Sequence, residues 1–194
     1  MENSKDNDNK KPDKTYKKES GAVTFLDVLG WKGIWKTRQD AISNLLLLIN
    51  EIEEIAEELT SSIEIIDKRD RGKTIETKVL SISDTIAIFT TGPAHIAIPI
   101  HSQICSIAIP SSIKKGIPLR GAISYGNFSI EENIMVGPAV DEAASWHEST
   151  NWIGVILTPS CKFNNNDYND IETIEFYSNI PFKTKVNNLD LCVK

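Results

Sequence analysis

Residues Ala22 to Leu29 read AVTFLDVL, an apolar run that is rich in β-branched and aromatic side chains and is interrupted only by Asp27. A run of this length is too short for a typical helix, and its composition favours a strand. The segment therefore predicts a central strand that carries one carboxylate.

A long amphipathic helix is predicted after this strand. The segment Thr37–Asp40 has the character of a capping-box start, and apolar residues then recur at steps of three and four. These apolar residues are Ile42, Leu45, Leu46, Ile49, Ile52, Ala56 and Leu59. Four glutamates, at positions 51, 54, 57 and 58, remain for the side that faces solvent.

Two β-rich runs, Lys73–Ile82 and Thr85–Thr91, follow the helix and are joined across Ser83 and Asp84. Because the connection is so short, the two runs predict an antiparallel hairpin with Asp84 at its tip.

The second half of the chain continues the alternation of helices and strands. We expect a helix over Ile96–Lys115 that Pro110 kinks or ends, because proline lacks the amide hydrogen that a helix interior uses. A strand over 119–128, a helix over 139–148 and a strand over 152–158 follow. The order βαββαβ, followed by a helix and a strand, predicts an α+β fold of the ferredoxin-like kind with an antiparallel-rich sheet covered by helices.

The composition is typical of one globular domain, with 194 residues, 40% hydrophobic and 25% charged. Residues 1–20 contain six lysines, five acidic residues and few large apolar groups, so we expect a disordered polar leader followed by a single domain over 21–194. Three widely spaced cysteines, Cys105, Cys161 and Cys192, predict reduced and buried thiols.

The charge balance argues against two classes of partner. Twenty-one basic and 27 acidic residues give a net charge of -6, and no basic stripe offsets it, so nucleic acid and anionic membranes are not expected partners. No apolar run approaches the roughly 20 residues of a membrane span, and no signal peptide is evident. The predicted location is the cytoplasm.

Two carboxylates interrupt apolar strand contexts, Asp27 in FLDVLG and Asp84 in VLSISDTIAIF. In a βαββ arrangement the first strand can lie beside the hairpin, so the two side chains can converge. Two ionised carboxylates repel each other unless a cation lies between them, and oxygen ligands on a rigid sheet suit Mg²⁺ or Mn²⁺. The alternative is that each aspartate is a turn or cap residue.

The segments FLDVLGWKGIW and SISDTIAIF resemble the two metal-binding segments of class III nucleotidyl cyclases. Together with PLRGAISYG and VGPAVDEAASWHE, they most closely resemble the pyrimidine (uridylate or cytidylate) cyclases of Pycsar antiphage defence systems, over about residues 22–185. This resemblance implies the class III cyclase catalytic domain and conversion of UTP, or of CTP, to the 3′,5′-cyclic monophosphate and pyrophosphate. It also implies a cytoplasmic homodimer with active sites at its interface, and a separate effector that the cyclic product activates.

Carried over by position, the resemblance assigns two divalent cations, Mn²⁺ or Mg²⁺, to Asp27, Val28 and Asp84, and catalytic roles to Asp27, Asp84 and Arg120. It assigns substrate contacts to Val28, Leu29, Gly30, Trp31, Lys32, Ser83, Tyr125 and Lys183. Independently of the resemblance, Gly30 and Gly33 allow the backbone to approach a ligand closely, and the N–H groups of a following helix favour anions. Lys36 and Arg38 are further cations near this loop.

Arg120 lies in the apolar segment LRGAI, where an unpaired guanidinium is costly. Its partner is either the nucleotide or a carboxylate. Adenylate and guanylate cyclases commonly place Asn and Arg four residues apart in the helix that here carries Asp141 and Ser145. Because that arginine is missing, Arg120 or Lys183 would have to stabilise the developing charge on phosphate.

Four further interpretations accompany these assignments. The three histidines, His95, His101 and His147, are expected in surface or capping roles.

The chain could be a catalytically silent nucleotide-binding or dimerisation module, as the missing arginine suggests, or a purine cyclase. A palm-type polymerase or diguanylate synthase ranks last, because Ser-Asp-Thr stands where a GGDEF-type hairpin is required. The choice between UTP and CTP does not follow from the residues, and UTP is preferred only on the resemblance.

Overall fold

The structure is a computed structural model that describes residues 17–61, 75–132, 134–164, 171–177, 179–183 and 191–194. Its strands are β1 (Glu19–Val28), β2 (Thr77–Ile82), β3 (Thr85–Thr91), β4 (Leu119–Glu131), β5 (Ile134–Val136), β6 (Gly154–Leu157), β7 (Ile174–Phe176) and β8 (Leu191–Val193). Its helices are α1 (Ala41–Ser61), α2 (Ala94–Lys114), α3 (Pro138–Trp146) and α4 (Pro159–Asn164), and a three-residue 3-10 helix spans Ile34–Lys36.

One sheet organises the molecule, in the order β2-β3-β1-β4-β6-β8-β7, with β5 paired to β4 outside this path. Strand β1 lies between β3 and β4 and is antiparallel to both, whereas β4 and β6 are parallel. The predicted α+β fold with an antiparallel-rich sheet is confirmed, and the first strand is central as expected.

Alternation along β1 divides its side chains between two faces of the sheet. Ala22, Leu26 and Val28 belong to the large core cluster that α1, α2 and α4 cover, which we call the α1/α2 face. Val23 and Phe25 belong to a second cluster that contains residues of α3, which we call the α3 face. Asp27 follows the same alternation, so its side chain lies on the α3 face.

The start of the folded region differs slightly from the predicted boundary. Strand β1 begins at Glu19, where Glu19 and Ser20 pair with Phe128 and Asn127 of β4. The strand therefore includes two residues that the sequence assigned to the polar leader. Residues 1–16 lie outside the described residues, as do Lys73 and Thr74 at the predicted start of β2, and the disordered leader stays a prediction.

Helix α1 begins at Ala41, directly after the predicted capping segment, and the Asp40 carbonyl accepts a hydrogen bond from the Asn44 N–H at 2.9 Å. Its buried stripe is narrower than predicted, because Ile42 and Leu46 are more than half exposed. The buried residues of α1 are Ala41, Leu45, Leu48, Ile52 and Ala56.

Pro110 was expected to kink or end the second helix. The expectation that it ends the helix is wrong, because α2 continues through Pro110 to Lys114. Pro110 is exposed, and Ser106, whose carbonyl would otherwise accept from residue 110, is only partly buried, so that carbonyl can bind water instead. By length and composition alone α2 is also apolar enough to cross a membrane. Its buried residues belong to the core on the α1/α2 face, so α2 fits a core helix.

The three cysteines are buried thiols, as predicted. Burial raises the pKa of Cys105 to about 12 and that of Cys192 to about 11. These thiols are therefore protonated at neutral pH.

His101 is completely buried, so its predicted surface or capping role is wrong, whereas His95 is exposed as expected. The Nδ1 atom of His101 is hydrogen-bonded to Thr24 Oγ1 at 2.6 Å, and its Nε2 atom is hydrogen-bonded to Thr90 Oγ1 at 2.8 Å. The imidazole thus joins α2 to β1 and β3 through two buried threonine hydroxyls. Burial lowers the pKa of His101 from 6.5 to about 3.

We expect His101 to make the free energy of unfolding depend on pH in the acidic range. Below pH 6.5 the unfolded chain binds a proton at His101 that the folded chain excludes, so the free energy of unfolding should fall as pH decreases from 6.5 towards about 3. His101 should contribute about 1.4 kcal/mol per pH unit to the slope. Urea unfolding of wild type, His101→Gln and the exposed control His95→Gln at several pH values measures the slope, and only His101→Gln should lose this contribution. Equal slopes in all three proteins would contradict this expectation.

Candidate active site

The end of β1 meets the β2–β3 turn and the start of β4. Asp27 is paired with Thr85 on one side and with Arg120 on the other. The Val28 N–H donates to the carbonyl of Asp84 at 3.3 Å, which fixes the turn against β1. The structure thus places the Asp84 backbone against the end of β1, and the negative charge of Asp84 raises the pKa of Asp27.

Arg120 forms an ion pair with Asp27 across the central strands. Its Nη2 and Nε both donate to Asp27 Oδ2, at 3.0 and 3.2 Å, and its Nη1 donates to the Thr150 carbonyl at 3.3 Å. Both charged side chains are only 11% exposed. Of the two partners considered for Arg120, the structure shows the carboxylate.

Burial dominates the electrostatics of Asp27 and raises its pKa. The hydrogen bonds and the positive charge of Arg120 lower that pKa, whereas the negative charges of Asp84 and Glu148 raise it further, and the net shift is upward. The negative charges of Asp84 and Glu148 therefore act on a carboxylate that is paired with a single guanidinium. This excess of negative charge fits a bound divalent cation, which would neutralise carboxylates that otherwise repel one another.

The segment after α3 adds two residues whose place in the site the sequence analysis missed, His147 and Glu148. Ligand atoms of Asp27, His147 and Glu148 all lie within 4.8 Å of one another. His147 does cap the helix as predicted, because its backbone N–H donates to the Ala143 carbonyl and its Nδ1 donates to the Ala144 carbonyl. Both residues end the VGPAVDEAASWHE block, but only the packing of α3 onto β1 reveals their proximity to Asp27.

The loop after β1 presents a row of backbone donors. Gly30 and Gly33 have φ values of 75° and 82°, a region that favours glycine. Within the described part of the chain, no backbone N–H of residues 30–33 donates a hydrogen bond, and the side chain of Lys32 is exposed. The loop can therefore offer several N–H groups to an anion. The helix expected directly after it is only the short 3-10 turn, and α1 begins later.

Trp31 and Arg38 have structural contacts near this loop. Trp31 is partly buried and packs against the core of the α1/α2 face. Arg38 donates to the carbonyls of Lys115 and Gly116 and pairs with Asp40. Arg38 thus contacts the end of α2, and its guanidinium donors are occupied by partners within the protein.

Tyr125 lies away from the other predicted site residues. It packs with the core of the α1/α2 face, and its hydroxyl donates to the Gly92 carbonyl at 3.2 Å. It pairs with Ala22, five residues along β1 from Asp27. Because odd-numbered and even-numbered residues of β4 face opposite sides, the side chains of Tyr125 and Arg120 lie on opposite faces of the sheet.

The remaining predicted residues lie around the rim. Ser83 is exposed in the β2–β3 turn with a φ of 59°, and the Leu29 N–H donates to the Pro118 carbonyl at 2.8 Å. Lys183 is exposed, and its backbone N–H donates to the carbonyl of Ser149 at 2.9 Å. This hydrogen bond holds the backbone of Lys183 beside Ser149, the residue that follows Glu148 in the chain. Asp141 and Ser145 are exposed on α3, so that helix presents no cation where purine cyclases commonly have arginine.

Comparison with known proteins identifies the fold. No protein-family model matches the chain, and no curated protein sequence matches it. Among solved structures, the catalytic core of a rhodopsin-guanylyl cyclase with converted specificity, in complex with ATPαS, is similar with a TM-score of 0.61. It is 16% identical, and the match covers 92% of this chain and 96% of that one.

A second similar structure is an adenylate/guanylate cyclase/hydrolase from Silicibacter pomeroyi, with a TM-score of 0.56 and 13% identity. The match covers 91% of this chain and 96% of that one. The predicted class III cyclase fold is therefore confirmed.

The ion pair between Asp27 and Arg120 should be visible in stability. Arg120→Met should lower the free energy of unfolding by about 3 kcal/mol, because it leaves a buried carboxylate without its partner. In the double variant with Asp27→Asn, at least about 1 kcal/mol of this loss should be recovered. Urea unfolding of the two single variants and the double variant at pH 7 completes the cycle. Strictly additive effects would show that the two side chains are not coupled.

Proposed function

We propose that this protein is a metal-dependent pyrimidine nucleotide cyclase that converts UTP, or CTP, to the 3′,5′-cyclic monophosphate and pyrophosphate. The observation that carries the proposal is the convergence of Asp27 and Asp84 at one edge of a class III cyclase fold. An excess of carboxylates at this point is costly unless the site binds cations, and a nucleoside triphosphate is a substrate that arrives with them.

The loop at residues 30–33 would bind the phosphates. Its backbone N–H groups have no acceptor among the described residues, and Gly30 and Gly33 have the positive φ values that are common in anion-binding loops. Lys32 and Lys183, both exposed, would add local positive charge. This local arrangement matters because the chain carries a net charge of -6 and does not attract polyanions in bulk.

The acidic residues fit two divalent cations, Mn²⁺ or Mg²⁺. Asp27 and Asp84 would hold them through carboxylate oxygens, and Val28 through its backbone carbonyl, which is the only oxygen it has. When bound, the cations would neutralise phosphate charge and lower the pKa of the ribose 3′-hydroxyl. The protein itself would align that hydroxyl with the α-phosphorus by holding the triphosphate along the glycine loop.

Arg120 would take the part of the arginine that α3 lacks. Its guanidinium is held beside Asp27 by two hydrogen bonds, next to the predicted reaction centre. Once Asp27 has another positive partner, Arg120 can direct an N–H towards the phosphate that gains negative charge in the transition state. Thr150, whose carbonyl accepts from Nη1, would keep the guanidinium oriented during this exchange.

A homodimer with active sites at its interface is part of the proposal. Ile82 is opposite Thr85, which is in turn opposite Asp27, so these residues form one row on the α3 face. Ile82 is 54% exposed, and Leu80, Ile130 and Met135 are only partly buried on this face. A second copy that covers these residues would bury apolar area and bring its own side chains to Asp27.

The wider role follows the same proposal. A pyrimidine cyclic monophosphate would act as a second messenger in antiphage defence, through a separate effector protein that binds it. Nothing in the site distinguishes uracil from cytosine, and uridylate cyclase activity is proposed first on the sequence resemblance.

A second candidate function is a nucleotide-binding module without turnover. The observation that favours it is that Arg120 neutralises Asp27, one of the two predicted metal ligands, while α3 presents no arginine. Such a protein would bind a nucleoside triphosphate and leave it intact.

Incubation of the purified protein with Mn²⁺ or Mg²⁺ and each of ATP, GTP, CTP and UTP, followed by mass spectrometry, tests both candidates. We expect one cyclic pyrimidine monophosphate. Asp27→Asn and Asp84→Asn should each reduce its formation at least about 100-fold, because cation binding contributes several kcal/mol. The exposed Glu54→Gln on α1 is the control for loss of one negative charge and should retain activity. Nucleotide binding by calorimetry with no product would favour the silent module, and would contradict the cyclase. Wild-type turnover in both aspartate variants would exclude Asp27 and Asp84 as the metal ligands of the reaction.

The dimer is tested by placing a charge in the row that contains Asp27. Ile82→Lys should weaken self-association at least about tenfold, since burying an ammonium costs more than about 1.4 kcal/mol. Light scattering over a concentration series measures it. The matched control is Ile42→Lys on α1, at 57% exposure, which should associate like wild type. A wild-type protein that is monomeric at all concentrations, or an equal effect of the two variants, would exclude this interface.

A further inference from the structure

We propose that His147 and Glu148 join Asp27 in a mixed nitrogen and oxygen site for one divalent cation, and that this site favours Mn²⁺ or a later first-row ion such as Co²⁺ over Mg²⁺. The inference deepens the proposed function and rests on it only in sharing Asp27. It adds a ligand type, an imidazole nitrogen, to a site that the sequence predicted to contain oxygen ligands alone.

The first support is position. One candidate ligand atom from each of Asp27, His147 and Glu148 lies within 4.8 Å of the other two. His147 Nε2 and Glu148 Oε1 are 3.9 Å apart. Ligands around one first-row ion, each about 2.1 Å from it, stand roughly 3 to 4 Å from each other. All three separations are therefore at most about 1 Å longer than this spacing.

The second support is the orientation of the imidazole. Its Nδ1 donates a hydrogen bond to the Ala144 carbonyl at 2.7 Å, so the Nδ1 position carries the proton when the ring is neutral. The lone pair is then on Nε2, the nitrogen nearer Glu148. Metal-binding histidines are commonly held in this way, with the second ring nitrogen donating to a backbone carbonyl.

The third support is rigidity. The His147 side chain is only 15% exposed, and its ring packs edge-on against Phe25 with 5.8 Å between centroids. Helix α3 is fixed to the sheet by Ser124, whose hydroxyl donates to the Ala139 carbonyl at 2.6 Å. A ligand on such a support loses little freedom when an ion binds.

The fourth support is the free oxygen of Asp27. Both hydrogen bonds from Arg120 go to Oδ2, and among the described residues Oδ1 accepts none. Asp27 can therefore keep its ion pair and still offer one oxygen. With Glu148, two carboxylates and a neutral imidazole would bind the cation, a donor set in which nitrogen favours transition metals over Mg²⁺.

The experiment measures metal binding directly. The apoprotein is titrated with Mn²⁺, Co²⁺ or Mg²⁺ by calorimetry, and the Mn²⁺ complex is examined by electron spin-echo spectroscopy for modulation from a coordinated ¹⁴N nucleus. His147→Asn is the test variant, because the asparagine amide can still donate to the Ala144 carbonyl but has no group at the position of Nε2. His147→Gln serves as a second variant, and the exposed His95→Asn on α2 is the matched control.

We expect nitrogen modulation in wild type and in His95→Asn, and its loss in His147→Asn. The preference for Co²⁺ over Mg²⁺ should fall at least about tenfold in His147→Asn, the size of effect that even outer-shell changes produce. Glu148→Gln should weaken binding of all three ions while it keeps the nitrogen signal. The wild-type spectrum decides the question even if a variant fails to fold.

Metal binding by wild type without nitrogen modulation, or no binding of Mn²⁺ with or without nucleoside triphosphate, would overturn the inference. Product analysis on the same samples separates it from the proposed function. A nitrogen signal with no cyclic product supports this site and contradicts the cyclase. A cyclic product without a nitrogen signal supports the cyclase and excludes His147 as a ligand.

Discussion

The ion pair between Asp27 and Arg120 is the constraint around which the rest of the site is arranged. It joins the two central antiparallel strands at the end of β1, with both side chains almost buried. A lone carboxylate there would be costly, and so would a lone guanidinium. Each charge offsets the cost of burying the other. The pair still leaves the region with an excess of negative charge, because the carboxylates of Asp84 and Glu148 also act on Asp27. The proposed binding of cations at this edge rests on that imbalance.

Much of this arrangement could be predicted from the sequence. The apolar run around Asp27 and the short Ser83–Asp84 connection have strong local signals, because a buried strand and a tight hairpin are each encoded by a few adjacent residues. Local sequence patterns do not predict features that depend on tertiary contacts. His101 is buried because two threonines on neighbouring strands satisfy both ring nitrogens, and no pattern within α2 shows this.

The same limit applies to the placement of the site residues. Tyr125 and Arg120 stand in one predicted strand, but the odd spacing between them places their side chains on opposite faces of the sheet. His147 was predicted as a helix cap, which it is, and its approach to Asp27 depends on how α3 packs against Phe25. Sequence reasoning identified the carboxylates because they interrupt apolar strands. It could not identify ligands that follow an ordinary helix end.

The site is assembled from segments that are far apart in the chain, near residues 27, 84, 120 and 148. During synthesis, β1 and the hairpin leave the ribosome long before β4 and α3 do, and strand β1 lacks one of its two neighbours until residue 119 and those after it have been made. Asp27 therefore gains its charge partner before it gains His147 and Glu148. The proposed cation site of Asp27, His147 and Glu148 is therefore complete only once α3 has docked onto the sheet.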